Sequence, residues 1–176
     1  MITHNKSLGC LAVLIVLALA TSALGQEAQD DAARRARVME MYGLATQGYP
    51  DLGRVTLEQA MALSEKGEIR FIDVRSPEEQ AVSMLPGAVP VQTFLDTVDE
   101  MLDKPLVAYC TIGQRSSNFA MQLKRYGLEV ANLEGSLLGW IHAGGEVLDP
   151  EGVPTLRVHA AGQYAGLVPV GYEAVW

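Results

Sequence analysis

One cysteine stands where an apolar run meets a tight turn: Leu106-Val107-Ala108-Tyr109-Cys110-Thr111-Ile112-Gly113-Gln114-Arg115-Ser116-Ser117. Leu106 to Tyr109 has the composition of a buried strand, and a helical pattern resumes near Arg115, so the chain must turn within about five residues. In so short a turn successive backbone N–H groups can point inward as an anion-binding nest, and Gly113 permits a backbone angle that other residues resist. The helix that follows adds unpaired N–H groups and its positive end. With Arg115 these features favour a thiolate at Cys110, drawing its pKa below the ordinary ~8.5. A thiolate is a nucleophile, and the same cradle suits a small oxyanion such as thiosulfate, sulfate or phosphate.

The chain has one other cysteine, Cys10, which opens the apolar run Cys10 to Ala20. A short polar start with Lys6, that apolar run and the small residues Thr21, Ser22 and Ala23 form the three-part pattern of a secretory signal, with cleavage expected after Gly25. An uncleaved N-terminal anchor is the alternative. Cys10 precedes the apolar run rather than following it, which excludes lipidation. Cleavage removes Lys6 and no acid, and it leaves Cys110 as the single cysteine of a periplasmic or secreted protein. An odd cysteine there implies a reactive thiol, an intermolecular bridge or a buried inert thiol.

Composition removes several functions. Of 176 residues, 49% are hydrophobic and 19% charged, a globular profile. A net charge of −8 argues against nucleic-acid binding, which is built on clustered Lys and Arg. Two cysteines exclude a disulfide scaffold and a zinc ribbon, and His142 and His159 are too scattered to complete a zinc set, so no metal site is expected. Arg34, Arg35 and Arg37, interspersed with Asp30 and Asp31, read as a solvated helix face.

The elements that must hold the cysteine follow from periodicity and punctuation. Gln26 to Ala45 reads as a short surface helix, ended by Gly48-Tyr49-Pro50-Asp51. Thr56 with Gln59 has capping-box form, and its helix should end at Gly67. Ile69 to Val74 reads as a buried strand, and Ser76-Pro77-Glu78-Glu79 as a strong helix start. Pro86-Gly87-Ala88 is a turn before a short strand at Val89 to Val91. Phe94 to Leu102 is expected as a helix with Phe94, Leu95, Val98, Met101 and Leu102 on one face. The helix after Cys110 should bury Phe119, Leu123 and Tyr126 and stop at Gly127. A strand at Glu129 to Leu133 and a helix at Ser136 to Ala143 follow, the latter closed by Gly144-Gly145. Trp140 and Trp176 read as packing residues, Trp176 pinning the C-terminus. Alternating strands and helices imply an α/β fold with a mostly parallel central sheet and helices on both faces, its ligands at the C-terminal strand ends. Four segments result: a signal at 1–25, a helical extension at 26–54, the domain at 55–147 and a tail packing on it at 148–176.

The domain resembles a single rhodanese-like sulfurtransferase domain, here in an exported form. Four motifs in order carry the resemblance: Asp73-Val74-Arg75 with Glu78 and Glu79; Pro86-Gly87-Ala88; the Cys110 to Ser116 loop; and Asn132-Leu133-Glu134-Gly135-Ser136 through Trp140. It implies a five-stranded sheet, and it implies that Cys110 is the nucleophile that holds a sulfane sulfur as a persulfide. Thr111, Ile112, Gly113, Gln114 and Arg115 then resemble the substrate-binding cradle, Arg115 also meeting donor oxygens, and Asp73, Arg75 and Ser116 a supporting set. Relatives that act on phosphate esters or arsenate have five residues between Cys and Arg, whereas four intervene here, which matches the sulfurtransferase branch. Ser83-Met84-Leu85 departs from the Gly-His that many relatives carry near the Pro-Gly-Ala turn, which removes any contribution of that histidine.

Two functions are therefore compared. In the first, sulfur passes from thiosulfate or a persulfide donor through Cys110 to a thiol or cyanide acceptor, a reaction expected to need no metal or organic cofactor. In the second, an exported noncatalytic module keeps the fold to bind an anion or a partner protein, a reading motivated by the N-terminal helix and the tail. The intact Cys110, Gly113 and Arg115 favour the first. After signal cleavage no membrane association is expected.

Overall fold

The computed structural model describes residues 7–160 and 162–176, with side chains from residue 25 onward. The first six residues of the segment read as an export signal lie outside the described residues, as do all its side chains through residue 24. A long helix, α1 (Ser7–Thr46), leads into β1 (Arg54–Val55), α2 (Leu57–Glu65), β2 (Arg70–Asp73), α3 (Pro77–Gln80), β3 (Val89–Pro90) and α4 (Val91–Asp96). Then come β4 (Leu106–Tyr109), α5 (Gln114–Lys124), β5 (Ala131–Leu133) and α6 (Ser136–His142). The five strands form one parallel sheet in the order β1-β5-β4-β2-β3. Cys110 therefore follows the central strand.

Side chains alternate across the central strands, as strand geometry requires. Phe71, Val107 and Tyr109 enter a larger core shared with Val38 of α1, Leu57 and Ala60 of α2 and Leu137, Trp140 and Ile141 of α6. Ile72, Leu106 and Ala108 enter a second core with Phe94 of α4 and Ala120 of α5. Helices thus cover both faces of the sheet. Trp140 packs edge-on against Phe71 at 5.4 Å between ring centroids, and its indole N–H donates to the Glu146 carbonyl.

The local signals at helix starts are those that the side chains make. Thr56 and Gln59 form a reciprocal capping box at α2, and Ser76 and Glu79 form another at α3, with Pro77 in the first turn. The tail adds β6 (Val147–Leu148) antiparallel to β7 (Pro154–Thr155), and β8 (Arg157–His159) parallel to β9 (Glu173–Val175). Val158, Ala160 and Val168 of the tail are buried in the larger core.

Four expectations need correction. The segment from Phe94 is no continuous helix: α4 ends at Asp96, Thr97 leaves helical geometry at φ −132°, and a 3-10 turn at Val98–Glu100 follows. Leu95 and Leu102 are consequently exposed while Phe94 is buried. Tyr126 is 87% exposed, because α5 closes at Lys124 and the chain turns through Gly127 at φ +81°. Trp176 is 79% exposed and pins nothing. The stretch of α1 read as a surface helix buries Val38, Tyr42 and Thr46 against the domain. Its polar face is not wholly solvated either, since Arg34 donates to the Val168 carbonyl and Asp31 accepts from the Val170 N–H. Among the described residues, no helix is long and apolar enough to cross a membrane, and no group of His, Cys, Asp or Glu could hold a metal ion.

Candidate active site at Cys110

The turn after β4 is built so that its carbonyls face away from the sulfur and its N–H groups face toward it. The first N–H groups of α6 take the carbonyls: Leu137 N–H donates to Cys110 O at 3.0 Å, and Leu138 N–H to Thr111 O at 3.3 Å. The Cys110 N–H donates to Ser136 Oγ at 3.2 Å. Ser136 holds this position at φ +52°, the one non-glycine at positive φ among the described residues, directly after Gly135 at φ +65°. Such strain is retained where the surroundings over-determine it. Gly113, at φ +101°, then starts α5 and donates its N–H to Cys110 Sγ at 3.1 Å.

Ser116, one turn into α5, shares its single hydroxyl proton between Cys110 Sγ at 3.6 Å and Asn132 Oδ1 at 2.7 Å. The Asn132 amide in turn donates to Gly113 O at 3.1 Å and to Ser117 Oγ at 2.7 Å. Asn132 thereby fastens the start of α5 to β5. Cys110 is 2% exposed. That burial pushes its thiol up, but the Ser116 N–H and hydroxyl and the N–H groups of Gly113 and Ile112 pull harder, and the thiol ends below its ordinary value. The alkylation rate of Cys110 should therefore rise with pH through a midpoint below that of a free thiol. Replacing Ser116 with alanine, which removes the hydroxyl and keeps the N–H, should move the midpoint up. A titration of iodoacetamide rates checks this, and an unmoved midpoint refutes it.

Arg115 is held by Glu79 as well as by the Cys110 thiolate. Its guanidinium forms a two-pronged pair with Glu79, Nη1 to Oε2 at 2.6 Å and Nη2 to Oε1 at 2.8 Å, and also reaches Thr111 Oγ1 at 3.0 Å. The backbone N–H groups, ahead of Arg115, are the main influence holding the thiol down. Burial pushes the Glu79 carboxyl up, but the Arg115 and Ser76 hydrogen bonds and the charges of Arg115 and Arg75 bring it down to about 2. A carboxyl held below its unfolded value stabilises the fold fully above that value and loses the contribution as pH falls toward about 2. Wild type should accordingly lose more stability between pH 5 and pH 2 than Glu79→Gln, as thermal melts at each pH would record; parallel curves would refute it.

Asp73 and Arg75 do not touch the sulfur. Arg75 donates Nε to Asp73 Oδ1 at 2.9 Å and Nη2 to Oδ2 at 2.6 Å, with both side chains fully buried. Tyr109 donates its hydroxyl to Asp73 Oδ2 at 2.6 Å and accepts from the Leu85 N–H at 3.2 Å. Asp73 and Tyr109 are register partners at the ends of β2 and β4. Arg75 also donates to the Ser83 carbonyl, so the pair braces the strand ends and the Ser83-Met84-Leu85 segment. Of the cradle residues, Thr111, Ile112 and Gly113 are buried, while Gln114 and Arg115 open to solvent.

The family profile of the rhodanese-like domain matches residues 56–143, the span that carries this site. The chain belongs to the rhodanese-like family. A sulfurtransferase of Allochromatium vinosum is 31% identical over 101 residues, covering 55% of this chain and 92% of that protein. YtwF of Bacillus subtilis, which carries a provisional sulfurtransferase name, is 36% identical over 88 residues, 45% of this chain and 84% of that protein. A thiosulfate sulfurtransferase from Pseudomonas aeruginosa shares the rhodanese fold at a TM-score of 0.54 and 22% identity, over 72% of this chain and 25% of that one. Family and relatives together support a sulfurtransferase-type function. These two relatives cover 45% and 55% of this chain, against the residues 56–143 matched by the family profile.

Four residues of the site lie outside the set that sequence reasoning assigned to it. Glu79 and Asn132 stood in quoted motifs, yet their partners are 36 and 16 residues away. Ser136 stands in a quoted motif too, as a helix start, with its partner Cys110 26 residues away. Tyr42, whose ring lies against Gly113, carried no signal at all.

Proposed function

We propose that this rhodanese moves sulfane sulfur through a persulfide on Cys110. The Cys110 thiolate attacks the outer sulfur of thiosulfate or of a persulfide donor. A bond forms between Sγ and that sulfur, the donor S–S bond breaks, and sulfite (or the donor thiolate) leaves with the electron pair. An acceptor thiolate or cyanide then attacks the outer sulfur, the Sγ–S bond breaks, and its electron pair returns to Sγ. The protein ends as it began, with no cofactor in the balance.

The observation that carries this reading is the ring of donors on Sγ. The N–H groups that hold the thiol down stabilise the same charge when Sγ is the leaving atom, so they assist both halves of the cycle. Gln114 and Arg115, at the open side of the turn, are the side chains available to meet donor oxygens. A binding module would need the anion nest but not the nucleophile. The test is the intact mass of the reduced chain after incubation with thiosulfate: one added sulfur atom supports the reading, and none overturns it.

Export also belongs to this proposal. The apolar run from Cys10 to Ala20 and the small residues after it support cleavage after Gly25, which leaves the α1 residues Val38, Tyr42 and Thr46 in the mature protein. The mature N-terminus, read from a fractionated cell, tests it.

A further inference from the structure

Tyr42 sits on the buried side of α1, with Val38 one turn before it and Thr46 one turn after. Its ring fills the space in front of Gly113, where a Cβ would stand 2.6 Å from Cδ2 and 2.7 Å from Cε2. The phenol therefore lies against the residue whose N–H donates to Cys110 Sγ. On the same helix Met39 meets Gly135, where its sulfur would stand 3.2 Å from a Cβ. The glycines that open α5 and α6 are thus each covered by a side chain of α1, a helix outside the span that the family profile matches.

Tyr42 is 4% exposed, and its hydroxyl finds no hydrogen-bond partner among the described residues. Buried tyrosine hydroxyls ordinarily have one, since an unpaired buried donor costs the full loss of its hydration. Arg54, Glu134 and Cys110 are the charged groups that act on it. Burial, opposed by the charge of Arg54 and reinforced by those of Glu134 and Cys110, pushes the phenol up to about 12, so it keeps its proton as a donor at neutral pH. No hydrogen bond links it to Sγ itself, so a partner belonging to the site must reach beyond Sγ. A persulfide does so, because it places a second, anionic sulfur about 2 Å further out.

We propose that Tyr42 is a binding residue for the loaded enzyme, its phenol O–H donating a hydrogen bond to the outer sulfur carried on Cys110. The proposal rests on the sulfur-transfer reading above. It makes Tyr42 unfavourable in the free protein and favourable in the persulfide form. Tyr42→Phe keeps the ring that packs on Gly113 and removes only the hydroxyl, so the two states should respond with opposite signs.

The experiment measures the loaded fraction of the full chain by intact mass across a series of thiosulfate-to-sulfite ratios, alongside thermal melts of the sulfur-free protein. Tyr42→Phe should shift the loading midpoint about tenfold toward thiosulfate, the size expected of one hydrogen bond to an anion. Its sulfur-free melting temperature should equal or exceed that of wild type. A merely structural role would move the melt and leave the loading ratio alone. An unmoved midpoint overturns the assignment, and so does a lowered melt of the free variant, which would mean the hydroxyl already has a partner. Failure of wild type itself to load overturns both this proposal and the sulfur-transfer reading, whereas wild-type loading with an unmoved Tyr42→Phe midpoint overturns the role of Tyr42 alone.

Discussion

Cys110→Ser, incubated with thiosulfate, should carry no added sulfur while wild type gains one atom, and its turnover with any acceptor should fall by about a thousandfold or more. The effect is chemical rather than structural. A serine hydroxyl at this position meets the same N–H groups, but they cannot bring an alcohol into its anionic form at neutral pH as they can a thiol. An oxygen–sulfur adduct would in any case lack the good leaving atom that the second half-reaction needs. The fold should survive, because the Gly113 N–H at 3.1 Å gives the new hydroxyl a donor and the loop is held by backbone bonds from α6. Intact mass and a thermal melt of the same preparation separate these effects. A sulfur adduct on Cys110→Ser equal to that on wild type would place the acceptor atom elsewhere and sink the proposed cycle.

What could be read from the sequence divides by distance along the chain. The Cys110–Ser116 turn was legible because its parts are contiguous: a strand end, a glycine at positive φ and a helix start all fall within seven residues. The capping boxes at Thr56 and Ser76 were legible for the same reason. The pair between Glu79 and Arg115 was not, since each looks locally complete, one as an acid in a helix's first turn and the other as a nest cation. Tyr42 is the extreme case. Its stretch of α1 reads as charged and helix-prone, and only the packing of that helix onto α5 and α6 turns one face toward the site. The misplacement of Leu95 and Leu102 has a different origin: apolar spacing in Phe94 to Leu102 fits a helix, but the chain breaks at Thr97, and periodicity does not register a break without glycine or proline.

Removing the carboxylate of Asp73 should destabilise the protein by about 3–5 kcal/mol, the usual cost of stranding one member of a buried ion pair. In Asp73→Ala the Arg75 guanidinium would remain buried with a single carbonyl partner, Ser83, because its Nη1 has no partner even now. Tyr109 would lose its acceptor as well, although it still receives the Leu85 N–H. At a few degrees per kcal/mol for a chain of this size, the melting temperature should drop on the order of 10 °C. A double replacement, Asp73→Leu with Arg75→Met, removes both charges and should recover a large part of that loss. An unchanged melt of Asp73→Ala would refute the energetic reading. The same variant also separates bracing from chemistry. No atom of the pair is hydrogen-bonded to Sγ, and the N–H groups that hold the thiol down come from Ile112, Gly113 and Ser116. Well below its melting temperature, Asp73→Ala should therefore still load sulfur from thiosulfate. Loss of loading in a folded Asp73→Ala would instead make the strand-end brace part of the reactive site, acting through Tyr109, the residue that delivers Cys110 into its turn.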